Sequence, residues 1–391
     1  MNWARKNGPE SRFFRRGPGP VLALCLAVLA CGCGGATSPR GPASAVAPVA
    51  SYEVPAVTAE AWPEADALFR RDPDWLGGDG AFSIDLGGDR TLWLFGDSLI
   101  AITAARVRRE SAVVRNSIAI QTGRDPSNAS IRFYWRNDGD GYPASFFPEE
   151  GEEWLWPAHG VRIGDGLTIF LYRIVSNLTA GSLGFEVAGW SAVRVDDPDA
   201  DPSAWRPRPL ATPDTSGVGI VGVAVMHSGA HVYAYLVREP GNHDVMLLRW
   251  TEARFTAGDL MSPEWWGGPS GGWGWQAPAL VMGQGATEFS VSRTRAPPLV
   301  VQVQSRDFGA TTVALRFAPE LTGPWTPLRD VYYPTEADRA DATLYLYAGK
   351  AHPHLEGADL VATYVCNTSD PEVLMRDDRI YFPRFVRITL R

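Results

Sequence analysis

Two aspartates eighteen residues apart, Asp79 and Asp97, stand near the ends of the stretch GGDGAFSIDLGGDRTLWLFGDS. General acid–base chemistry needs such a pairing, with one carboxylic acid to give a proton and one carboxylate to take one or to attack directly. Two carboxylates held close repel when both are ionised, so one pKa rises and a neutral acid persists nearer pH 7. The same residues also suit structural work. Asp-Gly opens turns, and an Asp at a strand end bonds backbone N–H groups.

The register of the hairpin between them decides which reading applies. A two-residue Gly88-Asp89 loop sets Asp79 across from Ser98 and Asp97 across from Gly80. A three-residue Gly87-Gly88-Asp89 loop sets Asp79 directly across from Asp97. Either brings the two to within about 5 to 8 Å at Cα, and only the second aims both side chains to one face.

This hairpin has four counterparts. Each is a strand, a tight polar turn and a strongly apolar strand ending in polar residues. They run DGAFSIDL-GGD-RTLWLFGDS from Asp79, HGVRI-GDG-LTIFLYR from His159, GIVGVAVM-HSGA-HVYAYLVRE from Gly219, TEFSVSR-TRAP-PLVVQVQSRD from Thr287 and KAHPHL-EGA-DLVATYVCN from Lys350. Their starts lie about 60 to 80 residues apart, room for a four-stranded sheet with its loops. Long helical periodicity is absent, and 40 Gly and 31 Pro punctuate short apolar runs, an all-β signature. Leu92-Trp93-Leu94-Phe95 is apolar on both faces, as a sheet packed between two others requires. Ser191 to Val195 and Thr312 to Phe317 supply candidate outer strands. The expected fold is all-β, a single five-bladed β-propeller of four-stranded antiparallel blades over residues 61–391. A two-sheet sandwich accounts for the composition but not for the five-fold recurrence.

Inner strands of a propeller open at a channel mouth, so hairpin ends are the places to look for chemistry. Glu288 begins the fourth hairpin as Asp79 begins the first. It is a candidate third carboxylate, or else the structural ion-pair partner of Arg115 or Arg238. His159 and His352 hold the corresponding places in the second and fifth hairpins, as ligands of sugar hydroxyls, holders of a central metal ion or satisfied structural residues. Arg115, Asn116, Arg238, Tyr364 and Asn367 are further candidates for binding substrate. The segment SPEWWGGPSGGWGWQAP, from Ser262, offers Trp273 and Trp275 as stacking platforms for sugar rings, or as caps on a blade interface.

No metal site or cofactor is expected. The run Asp196 to Asp201 is acidic enough to attract a structural calcium ion, but its prolines and position read as a solvated loop. Ser83-Ile84-Asp85-Leu86-Gly87 starts like a sialidase Asp-box, yet Arg90 stands where the aromatic belongs.

The chain has 391 residues, 45% of them hydrophobic, and a net charge of -8. This acidic balance argues against nucleic acid and anionic membrane surfaces as partners, since no basic patch lies outside the N-terminus. There, Arg5, Lys6, Arg12, Arg15 and Arg16 precede the apolar run VLALCLAVLA, too short to span a bilayer, and Val28-Leu29-Ala30-Cys31 is similar to a bacterial lipobox. Residues 1–30 therefore read as a lipoprotein signal peptide, with Cys31 the lipidated residue and Cys33 a poorer choice. Residues 31–60, rich in Ala, Pro, Ser and Gly, read as a flexible tether. The expected protein is an exported monomer, membrane-bound through its lipid alone, with Cys366 a buried thiol and not half of a disulfide.

The motif Trp93-Leu94-Phe95-Gly96-Asp97-Ser98, preceded by Gly78-Asp79-Gly80-Ala81 and followed by Arg115-Asn116-Ser117-Ile118-Ala119-Ile120, resembles the bacterial uncharacterised-domain family numbered 4185 (DUF4185). The resemblance continues through Trp156-Pro157, Glu288-Phe289-Ser290-Val291, Gly323-Pro324-Trp325, His352-Pro353 and Tyr364. That family has a five-bladed propeller fold and includes endo-D-arabinanases of glycoside hydrolase family 183. The resemblance implies a polysaccharide substrate, with an arabinan-like furanose polymer favoured, and Asp79 and Asp97 as the catalytic acids.

Overall fold

The computed structural model describes residues 52–149, 151–177, 184–274, 277–295, 297–309, 311–338 and 341–391. Cys31, Cys33, the signal segment and Trp275 lie outside the described residues.

Five antiparallel sheets are arranged as the blades of a propeller. Their innermost strands are Trp75–Gly87, Glu153–Ile163, Ile220–Ser228, Phe289–Arg293 and Leu344–Ala351. Each touches the innermost strand of the next blade, and the fifth touches the first, which closes a ring around a central channel. Blades two, four and five have four strands. The first gains Ser111–Val114 beside its second strand, and the third is extended by Trp273–Gly274 at its outer edge. The two candidate outer strands are each the third of their blade, within Phe185–Val195 and at Val313–Ala318.

The fifth blade is completed by the start of the domain. Val57–Ala61 pairs with Pro383–Leu390, Val57 opposite Leu390 and Ala61 opposite Val386. Ordered structure thus reaches into the 31–60 stretch read as tether. Val57 and Ala59 pack against the cluster between blades four and five, so a short, weakly apolar strand is held by its partner and not by its own pattern.

Alternation within the strands builds the core between blades. In the second strand of blade one, Leu92 and Leu94 face Ile169 and Leu171 of blade two, while Trp93 and Phe95 pack with Phe385 of blade five. One strand thereby serves two interfaces, and burial of both faces offsets the entropy of ordering a sheet that could not stand alone.

The first hairpin combines both expected registers. Gly88 and Asp89 have φ of 55° and 62°, a two-residue type I′ loop with Gly87 opposite Arg90. An irregularity between Asp85 and Gly87 then shifts the pairing, so that Ser83 lies opposite Trp93 and Gly78 opposite Ser98, the register of the longer loop.

A candidate active site at the channel mouth

Two further bulges flank Asp79. The pairing passes from Gly78 with Ser98 to Gly80 with Phe95, then to Phe82 with Leu94, so an extra residue is taken up first near Gly96-Asp97 and then at Gly80-Ala81. Gly80 and Ala81 have φ of 84° and 63°, and this turn of the backbone re-aims the side chain before it. Asp79 and Asp97 thereby become neighbours, and Gly96 leaves room for the Asp79 carboxyl.

The two acids are held by side chains. Asp79 Oδ2 accepts a hydrogen bond from the Tyr347 hydroxyl at 2.7 Å, and Asn367 Nδ2 donates to that hydroxyl at 3.3 Å. Asp97 accepts from Trp156 Nε1 at 2.9 Å and from Arg115 Nη1 at 3.1 Å. The Arg115 guanidinium lies over the Trp154 ring. Burial and the charge of Asp97 push the Asp79 carboxyl up to about 8, against the opposing effect of the Tyr347 hydrogen bond. Burial also raises Asp97, opposed by Arg115 and Trp156.

Glu288 reaches the same mouth from blade four. The loop before it is tied down by buried Arg316, which donates to the carbonyls of Gly283 at 2.8 Å and Gln284 at 2.9 Å, and by the Tyr172 hydroxyl on the Thr287 carbonyl. Burial pulls the Arg316 guanidinium down to about 10. Glu288 accepts from Lys350 Nζ at 2.7 Å. Lys350 is 1% exposed and also donates to the carbonyls of Gly80 and Ala348. Burial pulls its ammonium down, and Glu288 opposes that pull.

Asp79 and Glu288 line one cavity of about 670 Å³, with Trp156, Tyr172, Phe185, Phe308, Tyr345 and Tyr347 among its walls. An acid kept neutral by its surroundings and an ion-paired carboxylate facing one aromatic-walled space can perform acid and base steps on a bound sugar. Asp97 is 7% exposed and absent from the lining, so it acts on the cavity through Asp79.

Several expected site residues do other work. His159 accepts from the Val225 N–H and contacts the Ser83 carbonyl through Nε2. His352, fully buried, spans Ser83 Oγ at 2.7 Å and Thr363 Oγ1 at 2.8 Å. Both cross-link inner strands below the mouth. They do not match Asp79 because the hairpins align by their turns and not by their starts. Asn116 is buried and pins Phe147 and Leu155 through both ends of its amide. Tyr364 is buried on Glu336. Arg238 is exposed beyond the cavity lining, and Asn367 serves Tyr347 instead of a ligand. Trp273 packs at a tilt against Trp266 and under the Arg249 guanidinium at the outer edge of blade three, away from the cavity.

Sequence reasoning missed Lys350, Tyr347, Trp156 and the pair Glu239 and His243. Trp156 was visible only as part of a motif. Glu239 and His243 line the cavity from a loop of blade three, 2.8 Å apart. Among the described residues no group of three or more His, Cys, Asp or Glu is placed to hold a metal ion.

The architecture has solved counterparts. A Bacteroides ovatus protein described as a presumed hydrolase superposes with a TM-score of 0.67 at 18% identity, over 85% of this chain and 90% of that one. At that identity the likeness establishes the fold alone. A xylan β-1,4-xylosidase from Bacillus halodurans has a TM-score of 0.47 at 10% identity, over 82% of this chain and 54% of that one. An endo-arabinase from Bacteroides thetaiotaomicron has a TM-score of 0.40 at 10% identity, over 81% and 94%. No curated protein matches the chain at a significant level. A family model does match, over residues 64–390, and its number differs from that of the family the motifs resemble: the chain belongs to the family described as a domain of unknown function, DUF5005.

Proposed function

We propose that the protein is a glycoside hydrolase. Asp79, protonated near neutral pH, gives its proton to the leaving oxygen as the glycosidic C–O bond breaks. Glu288 is the second carboxylate, which takes a proton from the attacking water or bonds to the anomeric carbon itself. Burial, and after it the charge of Asp97, keeps Asp79 protonated. The observation that carries this reading is the meeting of a carboxyl raised to about 8 and an ion-paired carboxylate on one aromatic-walled cavity. A merely glycan-binding role leaves that raised acid without a task.

An arabinan-like polymer is the favoured substrate, on the strength of the motif resemblance. The basic n-region, short apolar run and Val28-Leu29-Ala30-Cys31 support export and anchoring at the bacterial envelope through Cys31. To test the activity, Asp79→Asn and Glu288→Gln would be assayed separately against arabinan and galactan by product chromatography. Each is expected to lose cleavage by about a hundredfold or more. Full retention in both would falsify the assignment.

A further inference from the structure

One wall of the cavity carries its aromatic rings outward from the acid. Tyr347, bonded to Asp79, packs against Tyr345 with centroids 5.6 Å apart. Tyr345 in turn stacks on Phe308 at 4.9 Å, with their planes 30° apart. Phe308 is 54% exposed, and all three rings line the cavity. The loop bearing Phe308 is fixed by its backbone. Gly309 exchanges hydrogen bonds with Leu346, at 2.7 and 3.3 Å, which ties blade four to the inner strand of blade five. A ring held in water by main-chain bonds is pre-organised for a flat apolar ligand face.

The charges around this wall point the same way. Asp79, Glu239, Glu288 and Asp307 line the cavity, against Arg306 and His243. Arg306 is held by Asp330 at 2.6 Å and His243 by Glu239 at 2.8 Å, so both cations have carboxylate partners. With Asp79 protonated, Glu288 held by Lys350 and Glu239 by His243, this lining leaves only the Asp307 carboxylate free and offers a uronate or sulfated chain no unpaired cation among the described residues.

We propose that Phe308, backed by Tyr345 and Tyr347, forms a stacking subsite for a sugar on the leaving-group side of the cleaved bond, in a glycan that carries no negative charge. The proposal rests on the hydrolase reading above. Asp79 protonates the leaving oxygen, so the rings that continue from its partner Tyr347 lie along the departing chain.

The test compares wild type, Phe308→Ala and Phe308→Trp on linear arabinan, β-galactan, xylan and polygalacturonate. It adds p-nitrophenyl glycosides, whose leaving group has no sugar. Phe308→Ala is expected to raise KM on the neutral polymer by about five- to tenfold, more than on the aryl glycoside, and Phe308→Trp to restore it. Equal losses on both substrates, no loss, or a preference for polygalacturonate overturns the subsite and leaves the hydrolase reading standing. Affinity electrophoresis in the same polymers, with Asp79→Asn and the Asp79→Asn/Phe308→Ala double variant, reads binding without turnover. Weaker retention of the double variant supports the subsite even where wild type cleaves nothing, a result that removes the hydrolase reading alone. Equal retention of the two variants, or none, overturns the subsite.

Discussion

Gly96 lies directly against the carboxyl of Asp79: a Cβ at position 96 would come within 2.5 Å of Asp79 Oδ1. The next contact of that Cβ beyond the Asp79 carboxyl is Trp156, at 3.8 Å, and Gly96 has none of the positive φ that strains other residues. Gly96→Ala therefore displaces the acid and little else. It is expected to cut turnover by about a hundredfold, the scale of an ångström's misplacement of a reacting group. Thermal unfolding should stay close to wild type, and the two measurements together separate a displaced acid from a damaged fold.

Two neighbours act on Asp79 with opposite sign. Asp97 raises its pKa by charge, and the Tyr347 hydroxyl lowers it by bonding the ionised form. In the proposed hydrolysis the working acid is the protonated one, so activity is expected to fall as pH rises through about 8. Asp97→Asn should move that alkaline limb to lower pH, and Tyr347→Phe should move it higher. A pH profile of kcat/KM in which both variants shift the same way contradicts this account.

The raised acid also has a stability signature. An ordinary carboxyl at 3.8 loses its proton in the unfolded chain while Asp79 keeps one up to about 8 in the folded protein. Between those values unfolding releases a proton, so Asp79 makes stability decline as pH rises across that window. Asp79→Asn removes this term. Its melting temperature should exceed that of wild type by more at pH 8 than at pH 5, and an unchanged gap would show that the acid titrates normally.

Closure of the ring can be tested by truncation. A chain starting at residue 62 loses the Val57–Ala61 strand and leaves the Pro383–Leu390 strand as an unpaired edge. Its melting temperature should fall by about 5 °C or more relative to a chain starting at residue 52. Equal melting of the two would mean that the clasp adds nothing.

The five inner hairpins were legible because each repeats a polar turn between strands apolar on one or both faces, a local pattern. Asp79, Asp97 and Glu288 were legible for the same reason, lying near hairpin ends. Tyr345 and Tyr347 were not, because reading the fifth hairpin from Lys350 cut its first strand short of Leu344. The Trp-rich segment misled in the other direction. Composition marks aromatic loops but not the blade edge they belong to, and Trp266 and Trp273 pack against the core at the outer strands of blade three. The cavity's own aromatics come one or two at a time from different strands and loops of several blades, so only three-dimensional closure assembles them. The bulge at Gly80-Ala81, which turns Asp79 into the mouth, has a glycine as its only sequence sign.

The cross-links made by His159, His352 and Lys350 have a kinetic meaning. They bridge inner strands at mid-depth, and His352 and Lys350 are almost wholly shielded from solvent. The cavity at Asp79 and the one at the hairpin turns around Ser83 and His159 share no lining residue, and these side chains stand between them. On the proposed hydrolase reading, a cleaved fragment and the next chain share the Asp79 mouth, so released product is expected to compete with substrate.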